Sequence, residues 1–183
     1  YNDTIDGKES HDIMAGGKGD DIYYVDAQCY YWPGDWCDSD YRDDDRSYRS
    51  RIALNWYPGW NFDCEADDVI EKTGEGFDTV YSSASYTLAA NVEALRLLGY
   101  ADLEGAGNGL NNAIFGNAGR NTLGGGAGTD LLFGGAGADT LSDVLGNNLL
   151  DGGAGSDSLS GGSGKEFLAG GAGDDLISTG KGA

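Results

Sequence analysis

From Gly107 to Ser178 the chain divides without a gap into eight units of nine residues. Position eight of every unit is aliphatic: Ile114, Leu123, Leu132, Leu141, Leu150, Leu159, Leu168 and Ile177. A fixed short period constrains a chain more than composition does, because each unit must take one conformation and bury its apolar residue against its neighbours. The clearest units are GGAGTDLLF at 125–133, GGAGADTLS at 134–142, GGAGSDSLS at 152–160 and GGAGDDLIS at 170–178. Position six is always acidic or amide: Asn112, Asn121, Asp130, Asp139, Asn148, Asp157, Glu166 and Asp175. The Gly-rich residues accept the positive φ of a tight turn, and the last three form a short strand with one inward side chain. Two units then make one coil of a solenoid, with coils stacked about 4.8 Å apart. The predicted fold is all-β, a parallel solenoid with a thin aliphatic core.

Composition narrows the partners. The 33 glycines have no triplet period and come with only 2 prolines, which excludes collagen. Hydrophobic residues at 39% argue against a disordered polyanion. The net charge of −20 disfavours nucleic acid and anionic membrane surfaces, and no apolar run is long enough for membrane insertion.

The pattern G-G-x-G-x-D-x-U-x, with U a large apolar residue, resembles the calcium-binding nonapeptide of RTX (repeats-in-toxin) proteins. The resemblance implies a parallel β-roll that binds Ca²⁺ through turn carbonyls and position-six carboxylates, between turns two units apart. Carried onto this chain, the implied ligands are Asp139, Asp157 and Asp175 with the turns of Gly135, Gly137, Gly153, Gly155, Gly171 and Gly173. Asp130 is a further candidate, while the longer Glu166 departs from the motif. Hard oxygen donors of this kind suit Ca²⁺.

Units two apart share an edge, so the position-six residues sort into two columns. One column reads Asn121, Asp139, Asp157, Asp175; the other reads Asn112, Asp130, Asn148, Glu166. Two calcium sites are expected on the first edge, between the Asp139 and Asp157 turns and between the Asp157 and Asp175 turns. The second is expected to be poor in calcium, with Asn112 and Asn148 bonding the backbone, because its turn at 143–146 lacks the glycine pair.

The N-terminal segment, 1–26, repeats the theme. Asp3, Asp12 and Asp21 occupy position six, with Asp3 and Asp21 on one edge and Asp12 on the other. Residues 67–106 lack the nonapeptide but keep β alternation at Val80, Ser82, Ala84, Tyr86 and at Val92, Ala94, Arg96. This segment resembles the spacer that joins nonapeptide blocks in secreted RTX proteins. It is expected to continue the solenoid with wider coils, as scaffold and not as a site. The roll proper occupies 107–183.

Between these blocks lies an insertion, 27–66, of different composition. It holds all four Trp, all three Cys, both Pro and four of the six Arg. Tyr31, Trp32, Trp36, Trp56, Tyr57 and Trp60 flank two Pro-Gly turns. They form either a local mini-core or a recognition surface for a carbohydrate or a surface protein. A disulfide between Cys29 and Cys64 would staple the base, although Cys29–Cys37 also fits the spacing. The run from Asp38 to Arg46 reads as a solvated mixed-charge loop, since it lacks the glycine and terminal Glu of an EF-hand.

Catalytic motifs are missing from the sequence. His11 is the single histidine, which leaves no H-E-x-x-H. There is no G-x-S-x-G elbow, and Gly164-Lys165 runs into Glu166 and not Ser or Thr. The expectation is therefore a non-catalytic, calcium-dependent structural or adhesin-type module, secreted or on a bacterial cell surface. The resemblance implies type I secretion, with folding outside the cell. Tyr1–Asp6 matches positions four to nine of a unit and Thr179–Ala183 positions one to five, so head-to-tail stacking into filaments is a further expectation. The alternatives are a binding module displayed by 27–66, and the C-terminal tail of a secreted hydrolase.

Overall fold

The computed structural model describes residues 1–8, 12–30 and 63–180. From the N-terminus run β1 (Thr4–Asp6), β2 (Ile13–Met14), β3 (Ile22–Val25), β4 (Ala27–Tyr30), β5 (Asp63–Ala66), β6 (Asp68–Val69), β7 (Thr79–Ser82), β8 (Tyr86–Thr87), β9 (Ala94–Leu97) and β10 (Glu104–Ala106). The C-terminal block adds β11 (Ala113–Phe115), β12 (Thr122–Gly124), β13 (Leu131–Ala136), β14 (Thr140–Ser142), β15 (Leu149–Ala154), β16 (Ser158–Ser160), β17 (Phe167–Ala172) and β18 (Leu176–Ser178). Among the described residues no helix is long and apolar enough to cross a membrane.

The chain is a parallel β-solenoid. Alternate strands go to alternate sheets: one ordered β1-β3-β7-β9-β11-β13-β15-β17, the other β18-β16-β14-β12-β10-β8. β2 pairs in parallel with β6. The register in the C-terminal block advances by two nonapeptides per coil, as in Leu132↔Leu150 and Leu141↔Leu159. This is the outcome the period demands, because any other register would put aliphatic residues against glycine turns.

The core is one file of side chains per sheet. Ile114, Leu123, Leu132, Leu141, Leu150 and Leu159 are all buried. Leu168 is half-buried and Ile177 is exposed, because no later described coil covers them. Tyr23 takes the same inward slot in the N-terminal block, where it is fully buried with Met14 nearby in the cluster.

The 67–106 segment continues both sheets, but its coils are uneven in length and not uniformly wider. The step from Asp78 to Glu93 is 15 residues and that from Ser85 to Glu104 is 19, against 18 in the nonapeptide block. The alternation expected at Val92, Ala94 and Arg96 also differs at its end. Leu95 and Leu97 point inward with Val80 and Ile114, while Arg96 lies outside. Register explains this, since Leu95 pairs with both Val80 and Ile114. On the outer face Tyr24, Tyr81, Arg96, Phe115 and Phe133 follow one another strand by strand. Tyr24 stacks on Tyr81 with centroids 5.2 Å apart, and Phe115 on Phe133 at 5.0 Å.

β4 and β5 form an antiparallel pair at the base of the insertion, in which Cys29 stands opposite Cys64. The proposed staple rests on this backbone register. Tyr31, Trp32, Trp36, Trp56, Tyr57, Trp60, Cys37, the Asp38–Arg46 run and His11 lie outside the described residues.

Candidate metal centre

Each glycine-rich turn delivers its position-six side chain into the coil just before a strand begins. At Asp139 and Asp157 the carboxylate is buried and half-used, while Asp175, in the last coil, is half-buried. The N–H of Asn121 donates to Asp139 Oδ1 (2.7 Å), that of Asp139 to Asp157 Oδ1 (2.8 Å), and that of Asp157 to Asp175 Oδ1 (3.0 Å). The second oxygens, Oδ2 of Asp139 and of Asp157, are buried and receive no hydrogen bond. They point into their own turns, against the first glycine: a β-carbon on Gly134, Gly152 or Gly170 would collide with the Oδ2 of Asp139, Asp157 or Asp175 respectively.

The turns themselves stack as closely as backbone allows. At Gly153, φ is 94°, and a β-carbon would run into the carbonyl oxygen of Gly135. The same contact repeats between Gly171 and Gly153, and in the neighbouring file between Gly155 and Gly137 and between Gly173 and Gly155. Carbonyl oxygens and unpartnered carboxylate oxygens from successive turns are thereby gathered along one edge. A hard divalent cation takes six to eight oxygen ligands at about 2.3–2.6 Å, and this donor set fits Ca²⁺. A buried carboxylate oxygen without a donor otherwise costs free energy.

The second edge is organised differently. Asn112 donates its N–H to Asp130 Oδ1 (2.7 Å), Asp130 to Asn148 Oδ1 (2.9 Å), and Asn148 to Glu166 Oε2 (3.1 Å). The amides of Asn112 and Asn148 also donate to the carbonyls of Val92 and Leu145. Asp130 Oδ2 and Glu166 Oε1 remain buried without a partner. A residue that the motif does not name joins them here. Asp143 stands where a turn glycine is expected; the residue is 2% exposed, and its Oδ2, like that of Asp130, is buried without a hydrogen-bond partner. Burial, then the neighbouring Asp130 carboxyl, pushes its pKa up to about 7. Burial also raises Asp139, against the opposing effect of the Asn121 N–H.

In the N-terminal block Asp3 and Asp21 share an edge, with the Asp3 N–H donating to Asp21 Oδ1 (2.6 Å). Asp12 lies on the other and donates its N–H to Asp67 Oδ1 (2.9 Å). Asp3 is exposed and Asp12 half-buried, whereas Asp21 is 1% exposed. The partners of Asp12 and Asp21 come from the 67–106 segment, which sequence reasoning had set aside as scaffold. Asp67, Glu71 and Asp78 are buried there. Their signal in the sequence was the acidic density of Asp67-Asp68…Glu71 and the Gly76-Phe77-Asp78 echo of a turn.

No curated protein and no solved structure matches the chain. Comparison with protein families finds the RTX calcium-binding nonapeptide repeat in four copies, over residues 1–28, 106–141, 144–177 and 160–183. Those residues cover more than half of the chain, and they contain the stacked glycine turns with their half-used carboxylates. The chain belongs to the RTX calcium-binding nonapeptide repeat family.

Proposed function

We propose that this chain is a calcium-dependent structural module of a secreted or cell-surface bacterial protein, without catalytic activity of its own. The observation that carries the reading is the Asp139–Asp157–Asp175 file, in which each carboxylate binds the preceding coil and the buried Asp139 and Asp157 leave an oxygen unpartnered in the turn. Such a file repels itself until a cation enters, so ion binding becomes folding free energy. In excess chelator the circular dichroism spectrum is expected to be that of coil, changing to β at millimolar calcium or below. Full β structure in chelator would refute the proposal. The family resemblance adds export by a type I route, with folding delayed until the chain meets extracellular calcium.

The finer reading adds an adhesin-type role and self-association into filaments. Leu176, Ile177 and Phe167 are exposed, an apolar surface of the kind a second copy covers. Electron microscopy with and without calcium tests it; monodisperse particles under calcium count against it.

A second reading is favoured by β4 and β5, which bring the two ends of the insertion side by side. The roll then displays the 27–66 insertion as a recognition element for a carbohydrate or a surface protein. Deleting 27–66 separates the two: a spacer still folds and assembles, whereas a recognition module loses its ligand.

A further inference from the structure

We propose a cation site, of calcium type, formed by Asp21, Glu71 and Asp78 where the N-terminal block meets the 67–106 segment. It differs from the nonapeptide sites because Glu71 and Asp78 lie outside every repeat copy, and because it takes three carboxylates from two unlike coils. One oxygen from each residue lies within 4.8 Å of the other two. Two ligands on one Ca²⁺ are separated by at most about 5 Å, given bonds of about 2.3–2.6 Å, so the three can share an ion. Asp21, Glu71 and Asp78 are 1%, 6% and 1% exposed.

The hydrogen bonds leave the cluster short of positive charge. Asp21 Oδ1 accepts from the Asp3 N–H, and Asp78 Oδ1 accepts from the Asp21 N–H at 2.8 Å. Glu71 Oε1 accepts from the Tyr23 hydroxyl. Asp21 Oδ2 and Glu71 Oε2 are buried with no partner at all. No lysine or arginine among the described residues forms an ion pair with any of the three; Lys72, next in sequence to Glu71, pairs instead with Glu75. Three desolvated carboxylates at such range repel one another, and a cation shared by their oxygens relieves that repulsion. Gly16 is kept bare at the same spot, since a β-carbon there would collide with both Asp21 Oδ2 and the Tyr23 hydroxyl.

The placement gives the site a task. Asp21 and Asp78 are 57 residues apart in sequence and face each other across the root of the insertion. A cation here clamps the coil that leads into the insertion onto the coil that follows it.

The test counts ions and uses the chain with its insertion. At calcium concentrations that saturate the wild type, E71Q and D78N are expected to lose one bound equivalent, or to bind it about tenfold or more weakly. The β spectrum of the roll stays intact in both. Terbium, a calcium substitute excited through a nearby tyrosine, is expected to lose most of its sensitised emission at the first equivalent in Y23F, which removes the sensitiser and its hydrogen bond to Glu71. Should E71Q and D78N fail to fold, the terbium comparison of wild type with Y23F decides alone. Unchanged stoichiometry and affinity in E71Q and D78N, or unchanged terbium emission in Y23F, would overturn the site. Failure of both wild type and variants to fold with calcium would instead overturn the calcium-dependent module itself.

Discussion

The guanidinium of Arg96 lies 4.0 Å over the centre of the Phe115 ring. It joins two aromatic stacks, Tyr24–Tyr81 and Phe115–Phe133, into one file along the outer face of the larger sheet. A cation over a ring contributes about 0.5–1 kcal/mol when exposed. Arg96→Ala is therefore expected to lower stability in calcium by about that amount, read from chemical denaturation, while calcium stoichiometry stays the same. A loss of bound ions in this variant would mean that the outer face and the turns are coupled.

Asp157 occupies the middle of the first-edge file, accepting from Asp139 and donating to Asp175. Asp157→Asn keeps an oxygen for the Asp139 N–H and removes the charge. At a hundredfold excess of calcium over its dissociation constant the variant should be less stable by about 2–3 kcal/mol. In chelator the order should reverse or vanish, because a buried repulsion has been removed. Thermal melts in calcium, and the residual β signal of variant and wild type in chelator, check the sign change.

Glycine is required at position 153 for two reasons: its φ of 94° and the carbonyl of Gly135 where a β-carbon would sit. Gly17 has a similar φ, 86°, but open space around it. Gly17→Ala is expected to cost about 1–2 kcal/mol, the backbone penalty alone. Gly153→Ala should cost clearly more, since backbone must move as well. Equal losses in the two variants would show that the stacked carbonyls yield easily.

Acid should partly replace calcium. Burial raises the Asp143 carboxyl to about 7 and the Asp78 carboxyl to about 6, above the roughly 3.9 of an unfolded chain. Over that window the folded chain holds protons that the unfolded chain has released, so the stability of calcium-free protein falls as pH rises from about 4 to about 7. In chelator, the β signal is expected to grow as pH is lowered from about 8 to about 5. A flat profile would show that these carboxyls titrate normally.

Cys29 and Cys64 face each other in the β4–β5 register. Directly opposed residues of an antiparallel pair have Cα atoms about 4.5–5.5 Å apart, within the range a disulfide spans. Air-oxidised protein is expected to yield a Cys29–Cys64 cross-linked peptide on mass mapping. Recovery of a Cys29–Cys37 peptide instead would reject the staple.

The nonapeptide block was legible in the sequence because period, turn and core all depend on single positions. Leu132 or Gly153 has the same surroundings in each coil, so pattern predicts contact. Asp143 was not legible, since it holds a glycine position and finds Asp130 only through stacking across a coil. The partners of Asp21 were hidden for another reason: with the insertion intervening, Asp78 lies 57 positions further along the chain, and no periodicity survives such a gap. The coil lengths of 67–106 also escaped prediction, because Leu95 is placed by Val80 and Ile114 and not by local alternation.

The side-chain ladder has a direction. In every link, from Asp3 to Asp21 at one end to Asp157 to Asp175 at the other, the earlier residue gives its N–H and the later residue supplies the oxygen. A second ladder, one position earlier in the turns, runs the other way: the N–H of Arg120 donates to Asp102, that of Thr129 to Asn111 and that of Lys165 to Asn147. Stripping a coil from either end therefore orphans an N–H in the coil it leaves behind. The two opposed files lock the stack against erosion from its first coil as well as from its last.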